Sequence, residues 1–323
     1  MKYALLFPGQ GSQEVGMLNT LAAAEPRIEQ TFREASIVLG WDVWRLAQEG
    51  PAEELNRTER TQPALLAAGV AVHRAWRAYL PKQAAAMAGH SLGEYTALVA
   101  AGAIGFEDAL KLVELRGRLM QAAVPQGEGA MAAVIGAEDA VVEKLCADYA
   151  GEGVLEPANY NAPGQVVVAG NTAAIDWLVA NAKTLGVRKV MKLAMSVPSH
   201  CSLLRGAADQ LAVKLREVQI LPPVLPVLHN LDGRPRSEPD AIRDALIEQL
   251  YKPVRWVDTV KRLHQELGCE AFLECGPGKV ITGMVKRTIN LEAHGFAGGL
   301  GDPEGIAKAL AAVSDTARET EHA

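Results

Sequence analysis

The sequence predicts an α/β protein: a large layered domain over 1–125 and 197–312, interrupted by a small lobe over 126–196. Three observations carry this. Short apolar runs alternate with longer helical patterns through the first 125 residues, as expected of strands covered by helices. From Gly129 the order becomes β-α-β-β-α-β, the ferredoxin-like arrangement. After Val197 the first pattern resumes.

Each element follows from its own pattern. "YALLF" reads as the first strand and "PALLAAGVAVHRAWRAYL" as a helix, and "AAAMA" is a strand leading to the helical "LGEYTALVAAG". In the lobe, "AMAAVIG" is a strand and "AEDAVVEKLCADYA" a helix. "VLEPANYN" and "QVVVAG" are strands either side of a Pro-Gly turn. "TAAIDWLVANAKTLG" is a helix ended by glycine, and "VRKVMKLA" is the last strand of the lobe. Further on, "PVLPVLHN" is a strand introduced by prolines, and "EAFLECGPGKVITGMVKR" is strand, turn and helix. Residues 313–323 are polar and aperiodic, and a disordered tail is expected there.

Composition narrows the function. The 323 residues carry a net charge of −6, which argues against a general nucleic-acid binder. Four cysteines without CxxC spacing, and no histidine pairs at ligand intervals, point to reduced structural thiols and no metal. Pro8 and Gly9 break the N-terminal apolar stretch too early for a signal peptide. The run Pro63–Val72 is far short of the ~20 residues a membrane helix needs. A cytoplasmic protein is expected.

Two glycine turns bear on chemistry. "FPGQGSQEVG" resembles a dinucleotide loop, but Glu14 stands where G-x-G-x-x-G requires its third glycine. Likewise, "CGPGKV" lacks the spacing of a triphosphate loop and reads as a turn opening a helix. The other turn, Gly89-His90-Ser91-Leu92-Gly93, matches G-x-S-x-G between a strand and a helix. That is the form of a nucleophile elbow, although an ordinary serine turn has the same form. The large domain is therefore expected to be α/β-hydrolase-like.

A serine nucleophile needs a base. His73 and His264 lie in charged helical stretches and are expected at the surface, while His294 and His322 lie near or in the tail. His229 follows a buried strand and His90 is a turn neighbour of Ser91. His200, in a proline-fixed loop just after the lobe, is the best-placed base.

At 100° per residue through "FEDALKLVELRGRLMQAA", Arg116 falls among Ala109, Leu112 and Val113, while Lys111 and Arg118 face the other way. A guanidinium on a core-facing stripe needs a partner. That partner is either a structural acid or the carboxylate of a substrate.

With these residues placed, the chain resembles the malonyl-CoA:acyl carrier protein transacylases. The likeness runs from "FPGQGSQ" through "GHSLGEYTALVAAGA", "RGRLMQ", "NYNAPGQVVVAG", "SVPSH" and "QLYKPVRW" to "CGPGKVITGMVKR". It implies that Ser91 is the nucleophile, His200 its base, and Arg116 the seat of the malonyl carboxylate. It also implies an oxyanion hole from the N–H groups of Gln10 and Leu92, and a backbone carbonyl of Gln249 that orients the histidine. The partners implied are malonyl-CoA and holo acyl carrier protein, with CoA as part of a substrate and no bound cofactor. Arg188, Lys189, Lys192, Lys286 and Arg287 are candidate docking cations for an acidic carrier, or simply solvated charges. A freestanding acyltransferase of polyketide synthesis and a serine thioesterase or esterase are the alternatives.

Overall fold

The computed structural model describes residues 1–194, 197–291 and 295–314; His294, His322 and residues 315–323 of the expected tail lie outside them. Among the described residues nine strands run in chain order. They are β1 (Tyr3–Phe7), β2 (Ala86–Gly89), β3 (Gly129–Ile135), β4 (Leu155–Ala162), β5 (Gln165–Asn171), β6 (Lys189–Lys192), β7 (Val227–Leu228), β8 (Ala271–Glu274) and β9 (Phe296–Gly299). They form two sheets. One has the order β7-β2-β1-β8-β9 with every pair parallel; the other is antiparallel, in the order β4-β5-β3-β6.

The parallel sheet is covered on both faces, so its strands are mostly apolar rather than alternating. All five residues of β1 are buried. Tyr3, Leu5 and Phe7 face one core, with Leu66 and Val70 of the Thr58–Tyr79 helix. Ala4 and Leu6 face the other, with Trp256, Val260 and Val285. This is the two-residue period of a strand serving two layers.

Register then sets the site. Phe7 is paired with Gly89, so the chains leaving β1 and β2 emerge side by side at the carboxyl edge of the sheet. Since β1 sits between β2 and β8, that edge opens a crevice of the kind where α/β sheets bind ligands.

Three expectations are corrected. The "PVLPVLHN" strand keeps only two residues, because Pro223 and Pro226 have no N–H to give to a ladder. Val313, placed in the tail by the sequence, is the buried last residue of the Pro303–Val313 helix. His73 and His264 are half-buried rather than exposed. The His73 ring packs edge-on to Phe7, and burial pushes its pKa down to about 4. His264 Nδ1 donates to the Cys269 carbonyl at 2.9 Å. Among the described residues, no helix is long and apolar enough to cross a membrane.

Candidate active site

Ser91 sits on the turn between β2 and the Leu92–Ala100 helix with φ 51° and ψ −110°, a conformation costly for a residue with a side chain. The flanking glycines make the turn possible. A Cβ on Gly89 would lie 1.9 Å from the Gly93 carbonyl, and one on Gly93 would lie 2.1 Å from the Phe7 oxygen. No side chain fits either place. Asn230 ties the turn down, accepting from the Ser91 N–H at 2.7 Å and donating to the Gly89 carbonyl at 2.7 Å.

His200 arrives from 109 residues away. It too has positive φ, at 62°, and its N–H donates to the Leu250 carbonyl. Nδ1 lies 2.7 Å from the Gln249 backbone oxygen, which can only accept, so the ring proton is on Nδ1. Nε2 is left as an acceptor, 2.8 Å from Ser91 Oγ. Burial first, and the Arg116 charge second, push this imidazole down to about 3, against the pull of the Gln249 carbonyl. The ring is neutral at physiological pH. The unfolded chain takes up this proton near 6.5, whereas the folded chain refuses it until about 3, so acidification between those values favours unfolding.

Arg116 is 1% exposed, as its place on the apolar face of the Phe106–Ala122 helix predicts. Nη1 donates to Gln62 Oε1 at 2.9 Å, and Nη2 to Gln249 Oε1 at 3.0 Å and Ser91 Oγ at 3.2 Å. Its guanidinium lies 5.5 Å from the centre of the Tyr95 ring. Ser91 Oγ thus donates to an imidazole and accepts from a guanidinium.

Gln10 and Leu92 line the same cavity, and among the described residues neither backbone N–H has an acceptor. The Leu92 amide is the first of its helix, where no intrahelical acceptor exists. The cavity, about 140 Å³, lies between the two sheets. Met131, Asn161 and Val167 close it from the antiparallel side, and Val280, Ile281 and Met284 from the helix after the Gly-Pro-Gly turn. His90 does not bond Ser91; its Nε2 is 2.8 Å from Asn161 Oδ1, across the cleft.

The six site residues expected from the sequence therefore meet in one place. Several partners escaped sequence reasoning: Gln62, Asn161, Asn230, the side chain of Gln249, and Glu94. Glu94 alone left a signal, as the one charge in an otherwise apolar helix.

The family model of the acyl transferase domain matches residues 4–300. The malonyl CoA-acyl carrier protein transacylase of Escherichia coli is 50% identical over 309 residues, 96% of this chain and 99% of that protein. That of Haemophilus influenzae is 51% identical over 289 residues, covering 89% of this chain and 92% of that protein. Among solved structures, the malonyl-CoA:acyl carrier protein transacylase of Xanthomonas oryzae pv. oryzae superposes with a TM-score of 0.92 at 52% identity, covering 97% and 99% of the two chains. A malonyl-transacylase in complex with its type II polyketide acyl carrier protein gives 0.93 at 48% identity, covering 96% and 99%. Identity at that level, along almost the whole of both chains, means that this protein belongs to the malonyl-CoA:acyl carrier protein transacylase family.

Proposed function

We propose that the protein moves a malonyl group from malonyl-CoA to the phosphopantetheine thiol of holo acyl carrier protein, by way of a malonyl ester on Ser91. One observation carries this: a single hydroxyl lies 2.8 Å from a neutral imidazole and 3.2 Å from a buried guanidinium. A nucleophile, its base and an anion seat are then one acyl group apart.

In the first half, His200 Nε2 takes the Ser91 proton while Oγ attacks the thioester carbon. The N–H groups of Gln10 and Leu92 receive the oxyanion, where one such donor is worth ~3 kcal/mol. The C–S bond breaks, and CoA leaves with the proton from His200. In the second half the carrier thiol gives its proton to His200 and its sulfur attacks the ester. The C–O bond breaks, and Ser91 recovers its hydrogen. Gln249 fixes the imidazole with a carbonyl, so no acid is needed as a third member. The reaction calls for no bound cofactor and suits a cytoplasmic enzyme.

The base should be strongest with the right substrate in place. A malonyl carboxylate on Arg116 offsets one of the charges that hold His200 down. Because a lowered imidazole is in its active, neutral form above its own pKa, acylation is expected to show no half-rate point near 6.5. Single-turnover acylation sampled from about pH 5 to about pH 8 checks this; an acid limb centred near 6.5 would mean an ordinary, unshifted base.

The large domain, over 1–125 and 197–312, is read as α/β-hydrolase-like. The serine turn at the carboxyl edge of a parallel sheet supports that reading. For the lobe over 126–196, the strand order β4-β5-β3-β6 supports a ferredoxin-like arrangement. The five candidate docking cations are exposed, with Lys192 paired to Asp176 at 2.6 Å. Because one structural relative is held by a polyketide carrier, such carriers are the second acceptor to try.

Intact mass decides the function. With malonyl-CoA, a malonyl adduct should appear on the protein and vanish on addition of holo carrier, with the malonyl mass moving to the carrier. An adduct lost equally fast without carrier would make the protein a thioesterase instead.

A further inference from the structure

Arg116 is a buried cation whose hydrogen-bond acceptors are all neutral: the carboxamide oxygens of Gln62 and Gln249, and Ser91 Oγ. Its Nε is buried with no acceptor. Among the described residues, no carboxylate forms an ion pair with it. Left so, the charge would cost several kcal/mol of folding free energy.

The balance is made one group further back. Gln249 turns its oxygen to Arg116 and its Nε2 to Glu94 Oε2, at 2.9 Å. Glu94 is fully buried, and the same Oε2 also accepts from the Asn230 N–H at 3.0 Å. Its Oε1 is 2.7 Å from His229 Nδ1. His229 meets that oxygen with Nδ1, and its Nε2 is buried with no partner, so a second ring proton would have no acceptor.

We propose that Glu94 is the counter-ion of Arg116, set behind the carboxamide of Gln249, so that the guanidinium is neutralised from the rear and its remaining donors stay open to a substrate carboxylate. A carboxylate in direct contact would fill the fork that the substrate needs. The second half of this inference rests on Arg116 seating the malonyl group, as proposed above. Glu94 is a positioning residue, acting through Gln249 on the residue that touches substrate.

The sign of its effect is specific. Glu94 steadies Arg116 in the empty enzyme but opposes a second anion arriving there. Glu94→Gln in the full chain is therefore expected to melt at a lower temperature while binding free malonate more tightly. The gain should be on the order of ten-fold, the scale for like unit charges separated by one carboxamide side chain at an intermediate dielectric. Malonate should also raise the melting temperature of the variant more than that of the wild type. If Glu94 were only a hydrogen-bond acceptor, the amide would keep an oxygen for Gln249 and Asn230, and malonate affinity would hold or fall; that result overturns the proposal.

The double variant Glu94→Gln/Arg116→Met guards against a single variant that does not fold. It is expected to be more stable than Glu94→Gln alone, because the stranded cation is gone. A double variant no more stable than the single one also overturns the proposal. Should malonate move neither wild type nor variant while the double variant is still rescued, the counter-ion pairing stands and the carboxylate seat on Arg116 fails.

Discussion

Ser91→Ala is expected to abolish the malonyl adduct on the protein and to lower malonyl transfer by roughly six orders of magnitude, the scale for losing an acyl-enzyme nucleophile. The substitution removes one oxygen. It leaves the strained turn, its anchoring by Asn230 and the bond from His200 to the Gln249 carbonyl, none of which uses that oxygen. Loss of activity with an unchanged far-ultraviolet spectrum would thus report chemistry rather than unfolding. Intact mass after mixing with malonyl-CoA is the direct measurement. An adduct of the same mass on the variant would mean that another side chain carries the acyl group.

Arg116→Ala is expected to cost malonyl transfer about 10²–10⁴-fold and to raise acetyl transfer relative to it. Breaking a buried charge pair by removing one partner costs ~3–5 kcal/mol, and here the partner removed is the one proposed to face the malonyl carboxylate. Acetyl-CoA has no anion to lose. Gln62 and Gln249 hold the fork from two sides before substrate arrives, so little ordering remains to be done on binding. Arg116→Lys keeps the charge without the planar fork and should recover only part of the preference. Competition between malonyl-CoA and acetyl-CoA for one pool of carrier gives the ratio. An unchanged ratio in Arg116→Ala removes this residue from substrate recognition.

Local pattern carried far into this protein. The five apolar residues of β1, the strands of the antiparallel sheet and the core-facing angle of Arg116 are all written in runs of a few residues. Ser91 and His200 were findable because their turns have local grammar: glycines at fixed offsets, and a proline before a loop. What stayed hidden depends on contacts between distant segments. Asn230 meets Gly89 across 141 positions and Gln249 meets the Ser91 oxygen across 158, and nothing beside either residue announces it. His73 misled for the opposite reason. Arg74 and Arg77 give its helix a charged look, while the ring itself turns inward to Phe7.

The backbone at Ser91, with φ at 51°, prefers a residue that has no side chain. Fold and chemistry therefore ask for different amino acids at the same position. Between two dead variants, glycine there would outlast alanine on heating, the reverse of their usual order. A laboratory selection that rewards heat resistance alone would drift toward glycine at this position and discard the enzyme's activity on the way.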